Sequence, residues 1–93
     1  MKSINWNIEK NQQLAKERGV SFEDAVVYIQ QGEILDILKH PNKEKYPNQQ
    51  VFVLSIDDYI YLVPYVEDHN EIFLKTIIPS RKATKLYLGG KNE

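Results

Sequence analysis

No cysteine occurs among the 93 residues, which removes disulfides, thiolate catalysis and cysteine-based zinc sites together. Any chemistry must use oxygen or nitrogen groups. Glycine is sparse: Gly19, Gly32, Gly89 and Gly90 are scattered at positions that read as helix ends, so no phosphate-cradling glycine loop is present. Histidine is scarcer still. His40 precedes a Pro/Asn-rich loop and His69 sits in the acidic turn Glu67-Asp68-His69-Asn70, and together they form neither an i,i+4 metal pair nor a recognisable triad. The acids Asp57, Asp58, Glu67 and Asp68 are best explained by turns, which leaves a catalytic carboxylate pair weakly supported. No apolar run approaches the ~20 residues needed to cross a membrane. Met1-Lys2-Ser3 leads directly into amphipathic sequence with no apolar signal segment and no Arg-rich transit peptide. The expectation is a cytoplasmic protein without membrane attachment, metal or cofactor.

What is present suits one small globular domain spanning residues 1–93: a 42% apolar fraction, with one Trp, six Tyr and three Phe. Net charge is only −1, yet the charges are unevenly placed. Residues 47–71 hold Asp57, Asp58, Glu67, Asp68 and Glu71 and no Lys or Arg, whereas residues 72–92 hold Lys75, Arg81, Lys82, Lys85 and Lys91 and no acid. That C-terminal segment is either a local basic site or a solvated face balancing the acidic one.

Asn7 caps a predicted helix over 8–18 that ends at Gly19, and Ser21-Phe22-Glu23-Asp24 reads as a variant capping box opening a second helix over 22–31, stopped by Gly32. On the second helix Phe22, Ala25, Val26 and Ile29 make a core-facing stripe, while Leu14 and Ala15 are the clear anchors of the first. A strand is expected over Glu33–Lys39. Val51–Ile56 and Tyr59–Val66 flank Asp57-Asp58 as a two-residue hairpin, and Glu71–Ile78 forms the next strand. Pro64 cannot donate to a ladder and must face an edge or a bulge. A short helix over 81–88, capped by Ser80, closes the chain at Gly89-Gly90. The fold class is thus α+β: an antiparallel sheet of three to four strands, two N-terminal helices and one short C-terminal helix.

The hairpin register puts Phe52, Leu54, Ile56, Tyr59, Tyr61, Val63 and Tyr65 on one face, and Val51, Val53, Ile60, Leu62 and Val66 on the other. Both faces are largely apolar. With the helices covering one side, the tyrosine-bearing side is left for a partner chain or a ligand, and homodimerisation there is expected unless the C-terminal helix folds back to bury it.

The last helix begins with cations, although helix starts disfavour them. Arg81 and Lys82 should each cost roughly 0.3 to 1 kcal/mol unless an anion compensates. A phosphate is the natural candidate, and a polynucleotide supplies phosphates in a row. Cations, tyrosines and one histidine can act on RNA without metal. The 2′-hydroxyl is an internal nucleophile, so an enzyme must orient it, stabilise charge on the phosphorane-like transition state and assist proton transfer. Arg81 and Lys82 supply the electrostatic part, and His40 or Lys75 an acid–base part. Tyr61 or Tyr65 can stack on a base, with Lys10, Arg18 and Lys85 as further RNA contacts. Packing for the tyrosines, and a C-terminal helix charge for Arg18, are the structural alternatives.

Three motifs resemble the BrnT-type toxins of bacterial toxin–antitoxin pairs: Trp6-Asn7-x-x-Lys10, Gly19-Val20-Ser21-Phe22-Glu23-x-Ala25, and Ile77-Ile78-x-x-Arg81-Lys82-Ala83-Thr84. The resemblance covers nearly the whole chain. It implies a RelE-like ribonuclease, helices beside an antiparallel sheet, neutralised by a small DNA-binding antitoxin in a homodimer or heterotetramer. The family's functional positions carry onto Arg81, and onto Lys10 and Lys82. The chain also departs from the pattern: the family's Lys-His before the Gly-Val turn is here Glu17-Arg18, its Asn after the Lys is Leu14, and its Arg ahead of the paired isoleucines falls on Thr76, next to Lys75. These departures keep a second reading open, a catalytically inactive binding module that acts as a regulatory partner. Direct DNA binding by the last helix has the least support, because its barely two turns include Leu86, Tyr87 and Leu88.

Overall fold

Local chemistry sets the helix boundaries. The computed structural model describes residues 2–42 and 44–89, so Gly90 and Lys91 lie outside the described residues. Helix α1 (Ile8–Arg18) starts where the Asn7 side chain accepts from the Lys10 N–H at 2.9 Å, and ends at Gly19, whose φ of 69° lets its N–H bond the Ala15 carbonyl. Helix α2 (Phe22–Gln30) opens with a full capping box between Ser21 and Asp24. Asn11 ties the two helices together: its Oδ1 accepts from the Phe22 N–H at 2.7 Å and its Nδ2 donates to Glu23 at 2.8 Å. That bond is the main reason the Glu23 carboxyl is held below its ordinary range.

The sheet is larger than the expected three to four strands, and it is mixed. Among the described residues it has six strands: β1 (Ser3–Trp6), β2 (Ile34–Lys39), β3 (Gln49–Ile56), β4 (Tyr59–Glu67), β5 (Glu71–Leu74) and β6 (Ile78–Pro79). Their order is β1-β5-β4-β3-β2, with β6 pairing the start of β4. The β3–β4 hairpin turns at Asp57-Asp58, with φ of 53° and 63°, the backbone of a two-residue type I′ turn. β1 pairs parallel with β5, in register from Ser3–Glu71 to Trp6–Leu74, which makes the sheet mixed.

The expected strand over 71–78 is broken at residues 75–77. The break lies opposite Pro64, where the proline ring leaves β4 without a donor; there the Lys75 N–H reaches the Pro64 carbonyl at 2.8 Å before the chain resumes pairing as β6.

The faces of the sheet are used in the reverse of the expected way. α1 and α2 cover the tyrosine-bearing face, where Leu14, Val20, Phe22 and Ala25 pack with Phe52, Leu54, Ile56, Val63, Tyr65, Leu74 and Ile77 in one buried cluster. Trp6 stacks on Phe22 at 5.9 Å and closes its β1 side. Homodimerisation through that face is therefore corrected: the helices already occupy it. The third helix, α3 (Arg81–Leu88), lies against the other side, over buried Val53 and Ile60, and reaches β2 through Tyr87, whose hydroxyl donates to Asp36 at 2.9 Å. No helix of the described residues is long and apolar enough to cross a membrane.

Candidate functional site: a cationic helix start

α3 is fastened to strand β4 by a closed set of hydrogen bonds. The Ser80 N–H donates to the Ile60 carbonyl at 3.0 Å, and the Ile60 N–H donates to Thr84 Oγ1 at 2.9 Å. The Thr84 hydroxyl in turn donates to the Ser80 carbonyl at 2.7 Å, and Ser80 Oγ accepts from the Ala83 N–H at 3.0 Å. Ser80 and Thr84 thus fix the helix start in direction as well as position. Thr84 escaped the sequence reading because a threonine at this helix position has no signal separating a backbone anchor from an ordinary exposed residue.

This anchoring sorts the side chains of α3. Ala83, Thr84, Tyr87 and Leu88 are half-buried toward the sheet, while Arg81, Lys82 and Lys85 are exposed. Lys85 lies three and four residues beyond the other two, so the three cations share one solvent-facing stripe. The first turn contains no acid, and among the described residues the single salt bridge is Lys2–Glu67 at 2.6 Å, far from α3. Arg81 and Lys82 carry the unfavourable helix-start term, whereas Lys85 sits in the last turn, where a cation is favoured; the three repel one another, and an anion at the helix start relieves the repulsion and the penalty together.

Arg18 comes to the same edge from α1, its guanidinium donating to the Ile77 carbonyl where the chain enters β6. Three residues separate Ile77 from Arg81, four Cα-to-Cα steps that span at most about 14 Å. Tyr61 pairs with Pro79 of β6 through its backbone, but its ring is on the α1/α2 face: it stands edge-on to Tyr59 at 5.8 Å, packs against the buried cluster, and lines a small cavity of about 180 Å³ with Gly19, Val20, Asp24, Tyr28 and Asp57. Lys75 is exposed at the break before β6. The structure thus sets Arg81 and Lys82 beside β6, with Lys75 exposed at the break and Lys85 one helical turn away, while Arg18 reaches β6 from α1 and the Tyr61 ring lies on the α1/α2 face, opposite α3.

Three further expected residues lie elsewhere. Tyr65 is only 2% exposed, stacked on Phe52 at 4.0 Å with its hydroxyl donating to Gln50 at 2.8 Å, so it is a core residue with no free ring face to offer a base. Burial, and then the Glu67 carboxylate, push its phenol up to about 12. Lys10 sits in the first turn of α1, at about 1.5 Å of rise per residue some 12 Å along the helix from Arg18. His40 is at the opposite end of the sheet. Its N–H bonds Gln49, which pairs with Val66, whereas Ser80 bonds Ile60; from Ile60 to Val66 strand β4 runs about 20 Å. That separation keeps His40 and Arg81 from touching the same phosphate.

His40 belongs instead to a cleft of about 530 Å³ that also takes in Lys2, Lys39, Tyr46, Glu67 and His69. The sequence offers His40 as an acid–base candidate and His69 as a plain turn residue; their convergence is not legible there because it depends on the pairing of β2, β3 and β4. Among the described residues no group of three or more His, Asp or Glu side chains is placed to hold a metal ion. No family model, no curated protein and no solved structure matches the chain.

Proposed function

We propose that the protein is the RNA-acting toxin of a bacterial toxin–antitoxin pair, a metal-independent ribonuclease that works in the cytoplasm and grips its substrate at the start of α3. The observation that carries this reading is the cationic stripe of Arg81, Lys82 and Lys85, without a salt-bridge partner among the described residues, on a helix pinned to the sheet by Ser80 and Thr84. A phosphodiester placed there neutralises the stripe, and Arg81 offers a planar fork of donors to two of its oxygens. When the neighbouring 2′-hydroxyl attacks phosphorus and the 5′-oxygen leaves, the extra charge on the phosphorane is stabilised by the same cations.

A cognate antitoxin would cover the stripe with carboxylates, and any homodimer or heterotetramer must use a surface other than the helix-covered tyrosine face. Expression of the chain alone in a bacterium, with growth and transcript integrity followed, tests the reading. Growth arrest with cut transcripts, both abolished by Arg81→Ala, is the expected result; full toxicity of that variant refutes it.

A second reading, a binding module without catalysis, is favoured by one observation: both histidines line the cleft at the far end of the sheet, leaving no imidazole beside the stripe. It predicts that the chain expressed alone leaves growth and transcripts unchanged.

A further inference from the structure

The cleft at the far end of the sheet has a chemistry of its own. The end of β2 brings Lys39 and His40, the loop before β3 brings Tyr46, Asn48 and Gln49, and the β4–β5 turn brings His69. Its two acids are already engaged. Glu67 is paired with Lys2 at 2.6 Å, and Asp68 Oδ1 accepts the N–H groups of Asn70 and Glu71, each at 2.8 Å, which holds its carboxyl below the ordinary range. Lys39 and His69 remain exposed beside them, with no carboxylate in salt-bridge reach among the described residues.

His40 is oriented rather than loose. Its Nδ1 accepts from the Asn42 N–H at 3.0 Å, so in the neutral ring the proton sits on Nε2 and that atom is a donor. The ring packs at 4.4 Å against Tyr46, over which Lys45 Nζ stands at 5.5 Å, and the group makes an aromatic wall edged with positive charge. Asn48 and Gln49 add amide groups, which carry a donor and an acceptor each. The volume falls in the range of small-ligand pockets.

We propose that this cleft binds a nucleoside monophosphate unit, with the phosphate between Lys39 and the two imidazoles, the base against the His40–Tyr46 wall, and the base edge met by Asn48 and Gln49. Aromatic stacking, amide groups and a cation for the phosphate are the elements by which single-stranded nucleotides are recognised. The unit is either a free nucleotide or one residue of an RNA strand. The site stands independently of what α3 does.

Titration of the full chain with a nucleoside 5′-monophosphate, the parent nucleoside, inorganic phosphate and a short single-stranded RNA, read by the imidazole signals in NMR, tests it. The monophosphate should shift both histidine signals and bind at least about tenfold tighter than inorganic phosphate or nucleoside alone, a gap of roughly 1.4 kcal/mol. Lys39→Gln and His69→Gln, both at exposed positions, should each weaken it several-fold with Tm unchanged, while Arg81→Ala leaves monophosphate binding intact. Tighter binding of the RNA assigns the unit to a strand, and equal binding assigns it to a free nucleotide; both support the site. Equal affinity for phosphate and nucleotide, unmoved imidazole signals, or indifference to both cleft substitutions overturns it. Because Arg81 belongs to the other end of the sheet, failure here and failure of the ribonuclease reading are separable.

Discussion

Tyr65 offers the sharpest test of how the core is built. Its ring is buried against Phe52, and burial together with the Glu67 charge raises the phenol from 10.0 to about 12. The folded state therefore holds the proton more tightly than the unfolded chain does. That preference contributes stability in full below about pH 10 and is lost as pH climbs through about 12. Two units correspond to a ceiling of about 2.7 kcal/mol; water reaching the hydroxyl beside half-exposed Gln50 screens part of it and leaves about 2 kcal/mol. For a domain of this size that is a substantial share of a total of roughly 5 to 14 kcal/mol.

Tyr65→Phe keeps the stacked ring and removes the titrating group. At pH 7 it should cost about 0.5 to 1.5 kcal/mol, the net worth of the hydrogen bond to Gln50. Urea unfolding of both proteins from pH 8 upward should then show the wild-type curve falling toward that of the variant between about pH 10 and 12, and crossing it. Phenolate absorbance should show one late-titrating tyrosine that is absent in the variant. Parallel stability profiles, or no late phenolate, would refute the buried placement of Tyr65 and with it the assignment of the tyrosine-bearing face to α1 and α2.

Thr84→Val should cost about 1 to 3 kcal/mol in urea unfolding, because it leaves the Ile60 N–H without its acceptor; a loss within a few tenths of zero would show that the α3 anchor is not formed in solution. Asp58→Gly should raise stability by roughly 0.5 to 1 kcal/mol by relieving a φ of 63°, read as a higher urea midpoint at unchanged slope, and destabilisation would contradict a type I′ turn. Arg81→Ala should raise Tm slightly, reflecting about 0.3 to 1 kcal/mol recovered at the start of α3, in the same variant that the ribonuclease reading expects to lose RNA cleavage; a loss of stability would mean that Arg81 holds the fold rather than an anion.

Elements governed by neighbouring residues were legible in the sequence, and those governed by distant pairing were not. Asn7, Ser21 and Ser80 announce their helices because a cap is a contact across three residues, and Asp57-Asp58 announces a hairpin because the turn and its flanking alternation are contiguous. β1 gave no comparable sign. Four residues, Ser3-Ile4-Asn5-Trp6, become a strand through parallel pairing with β5 nearly the whole chain away, and no local pattern encodes that partner. Pro64 was read as facing an edge or a bulge, and it faces the break between β5 and β6. The reversed sheet faces have the same origin as β1. Alternation divides the hairpin residues into two sets, but both sets are apolar, so nothing in the pattern says which one the helices take.

The candidate site follows the same division. Arg81, Lys82 and Lys85 were legible because helical spacing alone aligns them. Arg18 was found as a cation, but its bond to the Ile77 carbonyl depends on where β6 runs. His40 was placed with the cations by elimination, as a scarce acid–base group in a chain without cysteine. The sheet separates them by the length of β4, and proximity has no substitute in catalysis: a group that cannot reach the reacting atoms contributes nothing to the transition state, however suitable its chemistry. The cationic edge can therefore bind and stabilise charge, but it cannot draw on either histidine for proton transfer. Under the ribonuclease reading, the proton acceptor at that edge is Lys75, exposed at the break before β6, or a group supplied by a partner. A chain whose activity requires such a partner would bind RNA when purified and cut it only when that partner is supplied. The comparison of purified protein with protein in a cell extract thus bears directly on which of the two readings holds.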